Sequence, residues 1–127
     1  MSNGRPQERK PDGRRLRAER RGRLSEYVAA LFLLLKGYRI VALRYRTRAG
    51  EIDIIARRGT LAVFVEVKAR RLERSAVDAV SFHTQKRIHA ASDVWLSRQP
   101  DFSSLSCRYD IVAVLPWRLP RHFEDAF

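Results

Sequence analysis

GEIDIIARRGTLAVFVEVK, residues Gly50 to Lys68, is the stretch on which the reading of the chain turns. Its two apolar runs, one around Ile52, Ile54 and Ile55 and one around Val63, Val65 and Val67, are rich in β-branched residues. Each reads as a strand, Glu51 to Ala56 and Leu61 to Lys68. Arg57-Arg58-Gly59-Thr60 joins them at hairpin length. Side chains alternate between the faces of a strand, so Glu66 and Lys68 share a face with Phe64 while the three valines look the other way. A turn centred between Arg58 and Gly59 sets Asp53 opposite Phe64, on that same face, with Glu66 as its diagonal neighbour. The convergence needs a turn of even length or a bulge.

Charged groups among such residues cost solvation unless they are paired or bind something. Asp53 and Glu66 offer hard oxygen ligands suited to Mg²⁺ or Mn²⁺. Lys68 beside them can position an attacking water and offset the charge that builds on a phosphoryl group. The chemistry expected is hydrolysis of a phosphodiester. The same residues also fit a plainer reading, an Asp53–Lys68 or Glu66–Lys68 ion pair on a solvated sheet face.

The rest of the composition suits a polyanionic partner. The chain has 127 residues and a formal charge of +12. A small domain this basic points first to nucleic acid and second to an anionic membrane surface. Met1 to Arg23 carries nine Lys/Arg against three Asp/Glu, half of the whole excess. Residues 1–13 have almost nothing apolar and are expected to form a disordered basic arm, with 14–127 a single domain. The arm, with Arg14 and Arg15 after it, is expected to grip phosphates without sequence preference. Its low apolar content argues against a membrane anchor. Cys107 is the sole cysteine, so an intrachain disulfide and a cysteine-based zinc site are excluded. His83, His89 and His122 lack a metal-ligand spacing. The longest apolar run is too short for a membrane span, and no secretory signal opens the chain, so a cytoplasmic location is expected.

In order, the chain reads α-β-β-β-α-β. Arg14 to Lys36 has helical periodicity, and its second half, Tyr27 to Leu35, is apolar at nearly every position and so expected to be deeply buried. Gly37 is placed to cap it. Glu26 fits either an ordinary surface glutamate or a third carboxylate reaching the site. Tyr38 to Tyr45 is a first strand. Arg44, Arg46 and Arg48 alternate after it, tracking phosphates or merely solvating an edge. A basic loop with Arg70 and Arg71 follows Lys68. Ala76 to Arg98 is a second helix carrying Lys86 and Arg87, and Arg108 to Leu115 a last strand. Asp110 within that strand reads as a structural, hydrogen-bonded carboxylate. The two tail phenylalanines, Phe123 and Phe127, can dock or fray. Trp95 and Trp117 read as core or edge packing, and Tyr45 as the best base-stacking candidate. A mixed sheet flanked by helices is the natural packing of this order.

Gly22, Glu26, Ala30, Gly37-Tyr38, GEIDIIA (50–56), VFVEVK (63–68), Arg70, Lys86 and RYDIVAV (108–114) together resemble the YraN family of small bacterial proteins. That family is similar to Holliday-junction resolvases of the restriction-endonuclease-like superfamily with its PD-(D/E)XK motif. The resemblance implies an α/β, restriction-endonuclease-like core with a four-stranded sheet and a metal-dependent nuclease site. Asp53 matches the motif's aspartate, Glu66 its second acid and Lys68 its lysine; Ile52 stands where the motif's name carries proline. Glu26 matches the helix glutamate that such resolvases add to the metal site. The expectation is therefore an endonuclease using Mg²⁺ or Mn²⁺ on DNA, branched or junction DNA included, acting as a homodimer. Its phosphate contacts would be Arg14, Arg15, Arg46, Arg48, Arg70, Arg71 and Lys86. The alternative is a protein of the same fold that binds nucleic acid without cutting it.

Overall fold

A computed structural model describes residues 13–70 and 80–127, with side-chain surroundings from Gly22 onward. Of the arm expected over residues 1–13, Gly13 opens the first helix and residues 1–12 lie outside the described residues, as do the side chains of Arg14 and Arg15, and Arg71.

Helix α1 runs Gly13–Leu35. Gly37 ends it at φ 95°, in the left-handed conformation expected of it. The Gly37 N–H donates to Leu34 O at 3.0 Å and the Tyr38 N–H to Leu33 O at 3.0 Å, so the last carbonyls of the helix are satisfied. The chain reverses directly into β1 (Arg39–Arg46), followed by β2 (Glu51–Arg58) and β3 (Leu61–Ala69). Helix α2 (Phe82–Ser97) crosses to β4 (Ser106–Val114). This second helix begins at Phe82, where the Ser81 side chain caps it by accepting the Thr84 N–H; residues 76–79, also expected to be helical, lie outside the described residues. Val80, expected on its apolar stripe, is buried ahead of it.

The sheet is mixed, in the order β1-β2-β3-β4-β5, with only β3 and β4 parallel. Among the described residues it has five strands rather than four. Arg121–Phe123 forms β5 against β4, so the tail docks. Its anchor is Asp110, wholly buried, which accepts from Arg108 at 2.9 and 2.8 Å and from the Asp125 N–H at 3.0 Å, and meets His122 Nε2 at 2.6 Å. Asp110 is structural, as its place in an apolar strand implied. Trp117 is fully exposed, contrary to expectation, while Trp95 is buried.

Two apolar layers flank the sheet. Ala29 and Leu33 of α1 pack on Ile54, Val63, Val65 and Val112. Ile88, Ala91 and Trp95 of α2 pack on Ile52, Ile55 and Phe64. The valines of β3 therefore look to α1 and Phe64 to α2. The expectation that all of Tyr27 to Leu35 is buried fails: Tyr27 is 62%, Leu31 58% and Leu35 81% exposed. One helix has two faces and the sheet covers only one, leaving the other without a second layer among the described residues. No helix of the described residues is long and apolar enough to cross a membrane.

Candidate functional site

The β2–β3 hairpin turns on two residues, Gly59 and Thr60, with Arg58 paired to Leu61. Gly59 takes φ 60°, which a residue with a side chain rarely adopts. The turn is even, as the convergence requires, but its centre is one residue later than read. Ile55, not Asp53, faces Phe64, and the recorded ladder ends at Ile54 opposite Val65. Continued one step, that register sets Asp53 directly opposite Glu66, not diagonal to it. There the strands part, and Asp53 Oδ2 accepts the Val67 N–H at 2.9 Å in place of a backbone carbonyl.

β2 is irregular at this point. Ile52 and Ile54 are two apart, yet pack in different layers. Their partners on β1 are Tyr45 and Leu43, and Arg44 between those two has φ 52°. This left-handed residue lets the Arg44 guanidinium leave the strand and meet Glu26 of α1, Nε to Oε2 at 2.5 Å. Glu26 is thus held by Arg44 on the α1 side, near enough for its charge to bear on Asp53.

The carboxylates crowd one another. Burial pushes the Asp53 carboxyl up to about 8, and the charge of Glu66 adds to the rise; the Val67 N–H opposes it, and the charge of Glu26 reinforces it. Lys68 Nζ lies 3.1 Å from Glu66 Oε1, both side chains mostly buried. Glu51, Asp53, Glu66, Thr84 and Arg87 line an open cleft of about 220 Å³. α2 is brought to that cleft by Gly50. A Cβ on Gly50 would collide with the Arg87 carbonyl oxygen and lie 2.8 and 2.9 Å from the Arg87 carbonyl carbon and Cβ. Only glycine admits so close an approach.

The structure brings together Asp53, Glu66 and Lys68, with Glu26 within electrostatic reach. Among the described residues, no three His, Cys, Asp or Glu are gathered closely enough to hold a metal ion. The remaining expected contacts surround the site more loosely. Arg46 pairs with Glu51 at 3.5 Å, Arg48 is exposed, and Arg70 donates to the Ala69 carbonyl at 2.9 Å. Lys86 is drawn over the Phe82 ring at 4.9 Å. Tyr45, the stacking candidate, is half-buried, and its hydroxyl accepts from Arg98 at 3.2 Å. Arg44 was expected only to track phosphates or solvate an edge and Arg87 only to carry charge on the second helix, while Thr84 had no expected role; none was expected at the carboxylates. Only Gly50, a glycine just ahead of a strand, marked the close approach that places Arg87.

The family model described as "Uncharacterised protein family UPF0102" matches residues 25–114. The chain belongs to the UPF0102 family. It is 74% identical over 113 residues to a UPF0102 protein of Rhizobium johnstonii, covering 89% of this chain and 93% of that one. A UPF0102 protein of Sinorhizobium fredii is 70% identical over 118 residues, 93% and 97% of the two chains. One from Agrobacterium fabrum is 65% identical over 114 residues, 90% and 93%. The UPF0102 match spans both halves of the carboxylate site and β4 behind it.

Proposed function

We propose that this UPF0102 protein is a cytoplasmic, Mg²⁺- or Mn²⁺-dependent endonuclease of the restriction-endonuclease-like kind, hydrolysing phosphodiesters in DNA, branched or junction DNA included. The observation that carries the reading is the placement of Asp53, Glu66 and Lys68. They converge where β2 and β3 part, beside an open cleft, with the charge on Asp53 opposed by its neighbours. Two crowded carboxylates suit Mg²⁺, which is commonly held by one or two carboxylates plus water and substrate phosphate. Asp53 and Glu66 would hold the ion, and Glu26 would join them if Arg44 released it. When bound, the ion supplies Lewis-acid polarisation and an acidified water. Lys68, once a cation relieves it of Glu66, is free to orient that water and offset negative charge on the reacting phosphate. Arg87 faces the same cleft and can hold a neighbouring phosphate. The wider set Arg14, Arg15, Arg46, Arg48, Arg70, Arg71 and Lys86 would steer the polyanion in a salt-dependent way.

The test is incubation with junction, flap, duplex and single-stranded DNA in Mg²⁺ or Mn²⁺, with Asp53→Asn and Lys68→Ala alongside. Cleavage by the parent protein, reduced at least a hundredfold in either variant, is the expected result. No cleavage of any substrate, or cleavage that survives Asp53→Asn, rejects it. One observation favours a second reading, a protein that binds nucleic acid without cutting. Glu66 and Glu26 are already occupied by Lys68 and Arg44. That reading requires salt-sensitive binding, indifferent to Glu66→Gln, with no cleavage.

The homodimer also finds support. Leu24 and Leu31, Tyr27 and Leu34, and Val28 and Leu35 are exposed pairs seven residues apart on α1. A stripe repeating every seven residues can pack against its own copy. Leu43 lies exposed on the adjoining strand. At roughly 60–120 Å² per buried apolar side chain, these seven cover about 400–850 Å² per copy. A standard interface takes about 800 Å².

A further inference from the structure

The far end of the β1–β2 pair, away from the carboxylates, gathers more cations than it has acids to pair them. Arg39 and Arg57 are direct cross-strand partners. Like charges so placed oppose strand pairing. Arg58 follows at the turn, its guanidinium 4.0 Å over the Tyr38 ring. These three arginines line an open cleft of about 320 Å³ with Gly37 and Gly59. The two glycines both have positive φ, and a Cβ on either would meet nothing within 4 Å, so backbone is exposed to the cleft without cover.

One carboxylate serves the cluster. Asp101 accepts from Arg57 at 2.7 and 3.5 Å, and that bond holds its carboxyl below the usual range, with Arg39 contributing. Arg39 and Arg58 have no carboxylate within ion-pair distance among the described residues. Among the described residues, the Arg57 Nε is buried without a hydrogen-bond partner. Three guanidiniums against one carboxylate leave a surplus of two positive charges. Two of the guanidiniums are fixed in advance, Arg57 by Asp101 and Arg58 by Tyr38. Planar guanidinium forks match the oxygens of a phosphate.

We propose that Arg39, Arg57 and Arg58 form a binding site for a phosphate monoester dianion, separate from the carboxylate cleft. The dianion comes either from a free phosphate compound or from the terminal phosphate of a nucleic acid. Inorganic phosphate should be titrated into metal-free, ¹⁵N-labelled protein at constant ionic strength. Saturable shifts of the Gly37 and Gly59 amides are expected, with affinity at least tenfold weaker in Arg39→Gln and in Arg58→Gln. Both are exposed positions where the change should leave the fold intact. Shifts that never saturate, or that persist unchanged in both variants, overturn the site. Binding of a 5′-phosphorylated against a 5′-hydroxyl oligonucleotide then assigns the source: a tenfold preference for the former means a nucleic-acid end, equality a free phosphate compound. No metal is added, so the result stands apart from whether the protein cuts DNA.

Discussion

Asp53 is held where its charge is unwelcome, and this has a measurable sign. Its folded value, about 8, lies above the ordinary aspartate value near 3.8. The folded state therefore binds the proton more tightly than the unfolded state. The stabilisation is complete below about pH 4 and is lost as pH climbs through about 8. Asp53→Asn removes the charge while keeping an oxygen for the Val67 N–H. The variant should unfold at higher urea than the parent at pH 8, by an amount on the order of 1–3 kcal/mol, and the gap should narrow as pH falls and close near pH 4. Millimolar Mg²⁺ or Mn²⁺ should stabilise the parent at pH 8 and leave Asp53→Asn unmoved in the same melts. An equal response of both would detach the ion from Asp53. This residue was legible in the sequence because an acid inside Ile52-Asp53-Ile54-Ile55 is anomalous whatever the fold. The hold of Arg44 on Glu26 was not legible. It depends on a left-handed residue in β1 and on where α1 crosses the sheet, neither of which has a local signal.

Among the elements, the approach of α2 to β2 is the most exposed to a single change. A methyl at Gly50 must push against the backbone of Arg87, which cannot swing aside as a side chain would. Gly50→Ala should cost about 1–3 kcal/mol in denaturant unfolding and should reduce any cleavage more than its stability loss explains, because Arg87 and Thr84 move with the helix. Unchanged stability would mean that α2 yields easily. At the other edge, β5 rests on Asp110. Burial alone would raise that carboxyl, but His122, Arg108 and the Asp125 N–H outweigh it and hold it low. Its contribution is present above pH 4 and lost as pH falls through the depressed value. His122→Ala should therefore speed hydrogen exchange at Arg121–Phe123 and raise the pH of acid unfolding; exchange at the parent rate would show that β5 is held by its backbone alone. The three central strands were readable from alternation and turn residues. β5 was not, since three residues carry no periodicity and their pairing rests on a buried carboxylate twelve positions back. The turn was misplaced by one residue because Arg57 and Arg58 read as loop by composition, yet pair as strand.

For the whole molecule, the decisive surface is the outer face of α1. The sequence showed that Tyr27 to Leu35 is too apolar to face water, but hydrophobicity does not say what supplies the cover. If a second copy does, sedimentation at micromolar concentration should give twice the 14.8 kDa chain mass, and Leu31→Glu should return a folded monomer. A parent protein that stays monomeric up to about 100 μM, well above the dissociation constants of ordinary dimers, would leave that face to another partner. A different outlet for self-association is blocked in the fold. Among the described residues, β1 is an edge of the sheet. Its register slips between Ile40 and Ala42, and Arg44, two residues beyond, turns left-handed. An incoming strand would find only a few residues in step before the pattern broke, and it would meet the exposed Arg39 and Arg46 along the way. The kink that carries Arg44 to Glu26 thus also keeps the sheet from growing, and denies a fibril the straight edge it would need as a template.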